Sequence, residues 1–141
     1  MSDVLDVPGG KCIIERDGTT FILRIVTKKM IKLAEVGLVS QVLRDFLQLL
    51  PPRGGAIVID CTETEMFTLQ QLASIAGELR EQNHVIKERL IGTIMFVSRS
   101  TYVNTIIARF FKSVYKPVRP YEIVDCNIDI KAKIEEMRQV P

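Results

Sequence analysis

Gly55-Ala-Ile-Val-Ile-Asp60 is the stretch that decides the fold. Ala56 to Ile59 is an unbroken apolar run that stops at an aspartate. An alternating strand has one wet face, whereas an unbroken run marks a strand buried on both faces, as inside a parallel sheet. Just before it, Pro51-Pro52 and Gly54-Gly55 end the preceding element. Upstream, Val39, Val42, Leu43, Phe46, Leu47 and Leu50 recur at i, i+3, i+4, i+7, i+8 and i+11, one face of a helix. That helix begins near Met30 or only after Gly37. Downstream, Thr68-Leu-Gln-Gln71 fits a capping box, with Thr68 and Gln71 satisfying orphan amides at a helix start. The helix is predicted to run to about Gln82 and to bury Leu69, Leu72, Ala73, Ala76 and Leu79. Leu90 to Val97 then reads as a second buried strand.

Farther out, Ser98 to Thr101 supply caps for a third helix with a stripe of Val103, Ile106, Ile107, Phe110 and Val114, ended by Pro117. Tyr121 to Val124 reads as the last strand, and Asn127 or Asp129 caps a final helix burying Ile130, Ile134 and Met137. Toward the N-terminus, Lys11 to Arg16 and Thr19 to Val26 flank Asp17-Gly18, the signal of a type I′ hairpin. Residues 1–10, ending in Pro8-Gly9-Gly10, read as a flexible N-terminal arm, and 11–141 as one domain. The expected fold is α/β in the order β-β-α-β-α-β-α-β-α. Its mixed β-sheet joins an antiparallel N-terminal hairpin to parallel strands connected by right-handed crossovers.

The 141 residues are 47% apolar and 26% charged, with a net charge of +2, values of an ordinary globular chain. That charge implies no polyanionic partner by itself. No apolar stretch is long enough to span a membrane, and Met1 to Gly10 lacks the basic residues of a leader. Cys12, Cys61 and Cys126 are widely spaced, which reads as free thiols in a reducing compartment, with a disulfide pair as the lesser alternative. The expected location is cytoplasmic.

The element order resembles SpoIIAA-like or STAS domains, the anti-sigma-factor-antagonist fold, itself related to the lipid-exchanging CRAL-TRIO domains. The resemblance spans roughly residues 11–140 and rests on Gly55-Ala-Ile-Val-Ile-Asp60, the helix after Thr68, Arg89-Leu-Ile-Gly-Thr-Ile-Met-Phe-Val97, and Pro117 to Met137. Phospho-switch members of that family carry Asp-Ser-Ser-Gly at the start of the second helix. Here Thr68, Leu69, Gln70 and Gln71 hold that place, and the phosphorylated serine falls on Gln70. An amide accepts no phosphoryl group, so the resemblance implies the fold without that switch. Thr68 is read as an N-cap, with phosphorylation at a helix N-terminus as its alternative.

No catalytic constellation, cofactor motif or metal-ligand set is expected. His84 is placed near a helix C-terminus, where it would favour the last carbonyls. Asp60, Glu63 and Glu65 are the residues a small enzyme would use, as a general base or hard-metal ligands, but a solvated loop is the favoured explanation. From Arg89 through Tyr121 there are six basic residues and no acidic one, so the remainder carries −4. Arg109, Lys112 and Lys116 share one helix face, and Ser98, Arg99 and Ser100 lie at its N-terminus, where an anion is favoured. A solvated face, an anionic surface or ligand, and nucleic acid compete as explanations. Nucleic acid is disfavoured for want of a larger basic excess or a binding motif.

The leading expectation is a non-enzymatic STAS-like binding or regulatory module. Thr68, Gln70 and Gln71 would contact an unknown protein partner, and Ser98, Arg99, Ser100, Arg109, Lys112 and Lys116 would attract negative charge. The alternative is a carrier or sensor of a hydrophobic or anionic small molecule such as a lipid. Peripheral membrane contact and a homodimer formed through the hairpin edge are compatible with either.

Overall fold

A computed structural model describes residues 2–7, 10–27, 33–60, 69–96, 109, 117–124 and 128–141. In chain order the elements are β1 (Ser2–Val7), β2 (Gly10–Asp17), β3 (Thr20–Thr27), α1 (Leu33–Leu49), β4 (Gly55–Asp60), α2 (Leu69–Glu81), α3 (Asn83–Arg89), β5 (Leu90–Phe96), β6 (Tyr121–Val124) and α4 (Ile130–Arg138). The six strands form one mixed sheet in the order β1-β2-β3-β4-β5-β6. The first two pairings are antiparallel, and β3-β4, β4-β5 and β5-β6 are parallel. No described helix is long and apolar enough to cross a membrane.

Alternate residues of the central strands feed two apolar layers. Leu23, Ile25, Ile57, Ile59 and Met95 pack with Leu43, Phe46, Leu47 and Leu50 of α1, Ala76 and Leu79 of α2, and Ile86 of α3. On the opposite face Ile22, Ala56, Val58, Ile94 and Phe96 meet Ile134 and Met137 of α4. The unbroken run in β4 is thereby explained: each face of the sheet has its own core. Asp129 caps α4, its Oδ1 accepting from the Ala132 amide at 3.2 Å, as one of the two expected caps.

Four expectations are corrected. Ser2–Val7, read as part of a loose arm, pairs with β2 from Ser2↔Glu15 to Val7↔Gly10. Its two aspartates break an apolar alternation, but an edge strand tolerates charge because one side of it faces water. The outer strand of the expected hairpin is therefore covered, and the exposed edge proposed for a homodimer moves from β2 to β1. The hairpin turn is also shifted by one residue. Asp17 pairs with Thr20, leaving Gly18-Thr19 as the loop. Of these only Gly18 has positive φ, at 63°, which fits a type II′ turn and not the type I′ expected.

Third, α3 was not anticipated, and it takes His84 from a helix C-terminus to the exposed first turn of a new helix. Gln82 forms a turn between the two helices, and α3 then buries Ile86. Fourth, the described residues form six strands where five were expected, and α3 stands between α2 and β5 where no helix was expected. The expected third helix, from Ser98 to Val114, lies outside the described residues except for Arg109.

Gly37 sits within α1, which settles the start of that helix upstream of it, at Leu33. Its backbone is exposed, and a methyl group there would meet nothing within 4 Å. Gly37→Ala is expected to raise stability by about 0.5–1 kcal/mol in urea unfolding, because alanine loses less backbone entropy in a helix. A loss would show that this face of α1 is covered.

Cys12, on β2, is 1% exposed, and burial pushes its thiol up from 9.0 to about 11. The unfolded thiol releases its proton first as pH rises, so stability contributed by this group falls between pH 9 and about 11. In a Cys61→Ser/Cys126→Ser background the native protein should resist a thiol reagent at about pH 8 and react on unfolding. Fast native labelling would contradict this.

Candidate functional site

The carboxyl ends of the parallel strands are where open α/β sheets gather ligands. β4 reaches that end at Asp60, whose carboxylate lies 3.6 Å from Arg24 Nη2 of β3. The pair is half-buried, so Asp60 is a held carboxylate at a strand end and no solvated base. Gln70 and Gln71 fall in the first turn of α2, at the same end. Thr68, Glu63, Glu65, Ser98, Arg99, Ser100, Lys112 and Lys116 lie outside the described residues. Arg109 is helical and exposed. Among the described residues no group of three or more His, Cys, Asp or Glu is placed to hold a metal ion.

The opposite end of the sheet holds a cluster that the sequence did not single out. Because β4, β5 and β6 are parallel, their first residues and the last turns of α1 and α4 share one end of the molecule. Four arginines converge there, each on backbone carbonyls. Arg119 is 7% exposed, and its Nε donates to Leu90 O and Ile91 O, each at 3.2 Å. Its Nη1 donates to Val140 O at 3.1 Å and Pro141 O at 2.9 Å, and its Nη2 to Met137 O at 3.4 Å. One guanidinium thus ties the end of α4 to the start of β5. Arg53 Nη1 donates to the same Leu90 oxygen at 2.9 Å. Arg89 Nη1 reaches Gln48 O at 2.8 Å and Leu47 O at 3.3 Å, satisfying carbonyls left open at the end of α1. Arg138 donates to Arg53 O at 3.2 Å and to the Thr20 hydroxyl.

Carbonyl dipoles offset these charges only in part. Arg138 has Glu135 at 3.2 Å, but Arg53, Arg89 and Arg119 form no ion pair with the side chain of any described Asp or Glu. Burial first, and the neighbouring Arg53 charge second, push the Arg119 pKa below the usual arginine value. Arg53 is also the one non-glycine residue with positive φ among the described residues, at 55°. It stands third in the turn Pro51-Pro52-Arg53-Gly54, closed by Gly54 N to Pro51 O at 2.9 Å, where glycine or asparagine is the ordinary choice.

Beside Arg119 an open depression of about 420 Å³ is lined also by Pro117, Val118, Pro120, Val140 and Pro141. Of the five exposed large apolar residues among those described, Leu49 (79% exposed), Val118 and Val140 are at this end. The sequence signal was partial. Arg89 and Arg119 bound the acid-free segment, but nothing in their spacing shows that they meet, or that Arg53 and Arg138 join them.

No family model matches the sequence, and no curated protein matches it. A solved structure, an anti-sigma factor antagonist from Mycobacterium paratuberculosis, superposes with a TM-score of 0.55 at 14% identity, over 99% of this chain and 96% of that one. The mixed sheet, with its antiparallel N-terminal pairs and parallel later strands, agrees with what the resemblance implied: this chain shares the mixed α/β fold of that anti-sigma factor antagonist.

Proposed function

We propose that the protein is a non-enzymatic regulatory module that works by binding another protein through the start of α2. The observation that carries this reading is a fold shared over nearly the whole chain with an anti-sigma factor antagonist. The first turn of α2 offers Gln70 and Gln71 at the carboxyl end of the sheet, the edge that the topology leaves for ligands. Gln70 stands where the switch members of the fold carry their phosphorylated serine, so binding here is not cycled by a kinase acting at that position. Thr68, which the sequence pattern reads as a cap, belongs to the same proposed contact.

The test is affinity capture with the full chain, followed by the same capture with Gln70→Arg/Gln71→Arg. Both glutamines are replaced by a good helix former, so α2 should persist. Loss of a captured protein with unchanged Tm supports the reading. Capture that is indifferent to both substitutions removes the α2 edge from it. A small molecule seen in the native mass spectrum and absent from the denatured one would replace the reading with the carrier alternative.

A further inference from the structure

We propose that the arginine cluster at the amino end of the parallel strands is a second docking surface, and that its partner is an acidic, apolar protein segment. It is independent of the α2 edge, which lies at the other end of the sheet.

The chemistry follows from what this surface combines. Arg53 and Arg89, both part-exposed, form no ion pair with the side chain of any described Asp or Glu, and the buried Arg119 guanidinium lies behind them. Arg53 and Arg119 share one acceptor, Leu90 O, so like charges are held together by a single carbonyl and not allowed to separate. A carboxylate brought between them would relieve that repulsion, and in partly desolvated surroundings the gain is larger than on an open surface. Arg53 reaches this place from a backbone conformation that a glycine would occupy at lower cost, and strain of this kind is retained where a side chain is needed.

Val118 and Val140 stand exposed beside Arg119 on the proline-lined depression, and Leu49 is exposed at the end of α1, next to the carbonyls that Arg89 binds. Arginine is enriched at protein interfaces, whose cores are apolar. The arginines are planar donors already fixed by carbonyls, which suits carboxylates on a folded or folding peptide. A nucleic acid would call for a longer basic track along its phosphates. A lipid surface would call for mobile basic side chains around deeper apolar anchors.

The experiment uses the full chain and a fluorescent peptide of alternating glutamate and leucine, with a lysine-leucine peptide as control. The glutamate peptide is expected to bind, more weakly as salt rises, and the lysine peptide not to bind. Arg53→Gly removes one guanidinium while relieving the positive φ, so Tm should hold while affinity falls about tenfold. Leu49→Asp changes a side chain that is 79% exposed and should weaken binding by a similar factor without loss of Tm. No binding of the glutamate peptide, equal binding of both peptides, or indifference to both substitutions would overturn the proposal. So would binding to phosphatidylserine vesicles, or to a single-stranded oligonucleotide, in preference to the peptide. None of these results bears on capture through α2, so the two surfaces fail separately.

Discussion

Replacing Arg119 by methionine is expected to lower stability by about 3 kcal/mol, a fall in Tm of roughly 10 °C for a chain of this size. Methionine fills much of the space of the stem but donates nothing. Ile91 O, Met137 O, Val140 O and Pro141 O would lose their guanidinium donor, and Leu90 O would keep only Arg53. The oxygens of Val140 and Pro141 belong to exposed residues and can turn to water, and Met137 O still accepts from the Val140 amide at 3.2 Å, so most of the loss falls on the buried start of β5, which Arg119 bridges to α4. Arg119→Lys separates charge from geometry. One ammonium cannot reach both β5 and the end of α4, so lysine should recover only part of the loss. Urea unfolding of the three proteins gives the comparison. A loss under about 1 kcal/mol for Arg119→Met would mean that the five carbonyls are satisfied in some other way.

Gly55→Ala should be nearly as severe, at about 2–3 kcal/mol, with Gly55→Val worse. A methyl at Gly55 would lie 2.8 Å from the carbonyl oxygen of Phe21 and 2.6 and 2.9 Å from the two methyls of Leu50. The leucine could rotate away only into a packed core, since it is 3% exposed. The carbonyl cannot retreat either, because Phe21 is paired with Gly55 in the parallel ladder and its amide donates to Gly54 O at 2.9 Å. Gly37→Ala is the internal control: the same substitution in the same protein, with the opposite sign. Equal shifts at both positions would show that the close approach at Gly55 is not what limits it.

Much of the fold is legible in local patterns. The apolar run of β4 announces a two-sided sheet, and β6 falls at Tyr121–Val124 as expected. The stripe of α1 buries Leu43, Phe46, Leu47 and Leu50, with Val39 and Val42 partly covered. These readings succeed because periodicity is a property of neighbouring residues, and burial of one face follows from it. The misses have the same root. β1 is a strand through its pairing with β2 more than through its own composition, and pairing is invisible in six residues read alone. The α2–α3 break at Gln82 leaves no mark in the apolar pattern, because Leu79 and Ile86, seven residues apart, would share a face in an unbroken helix too.

The sequence by itself determined most of the strands and helices, β1 and α3 apart, and most of their apolar faces, although Ala73, expected on the buried face of α2, is exposed. That Gln70 carries an amide and no hydroxyl is likewise a matter of residue identity. Only the tertiary structure decided where the charge goes. Arg53, Arg89, Arg119 and Arg138 are far apart in the chain, and their spacing carries no shared period. They meet because each parallel crossover returns the chain to the same end of the sheet, and because the carbonyls they bind are left open by strand starts and helix ends. Acceptors of that kind are backbone atoms, alike at every residue, so no side-chain pattern could have named them.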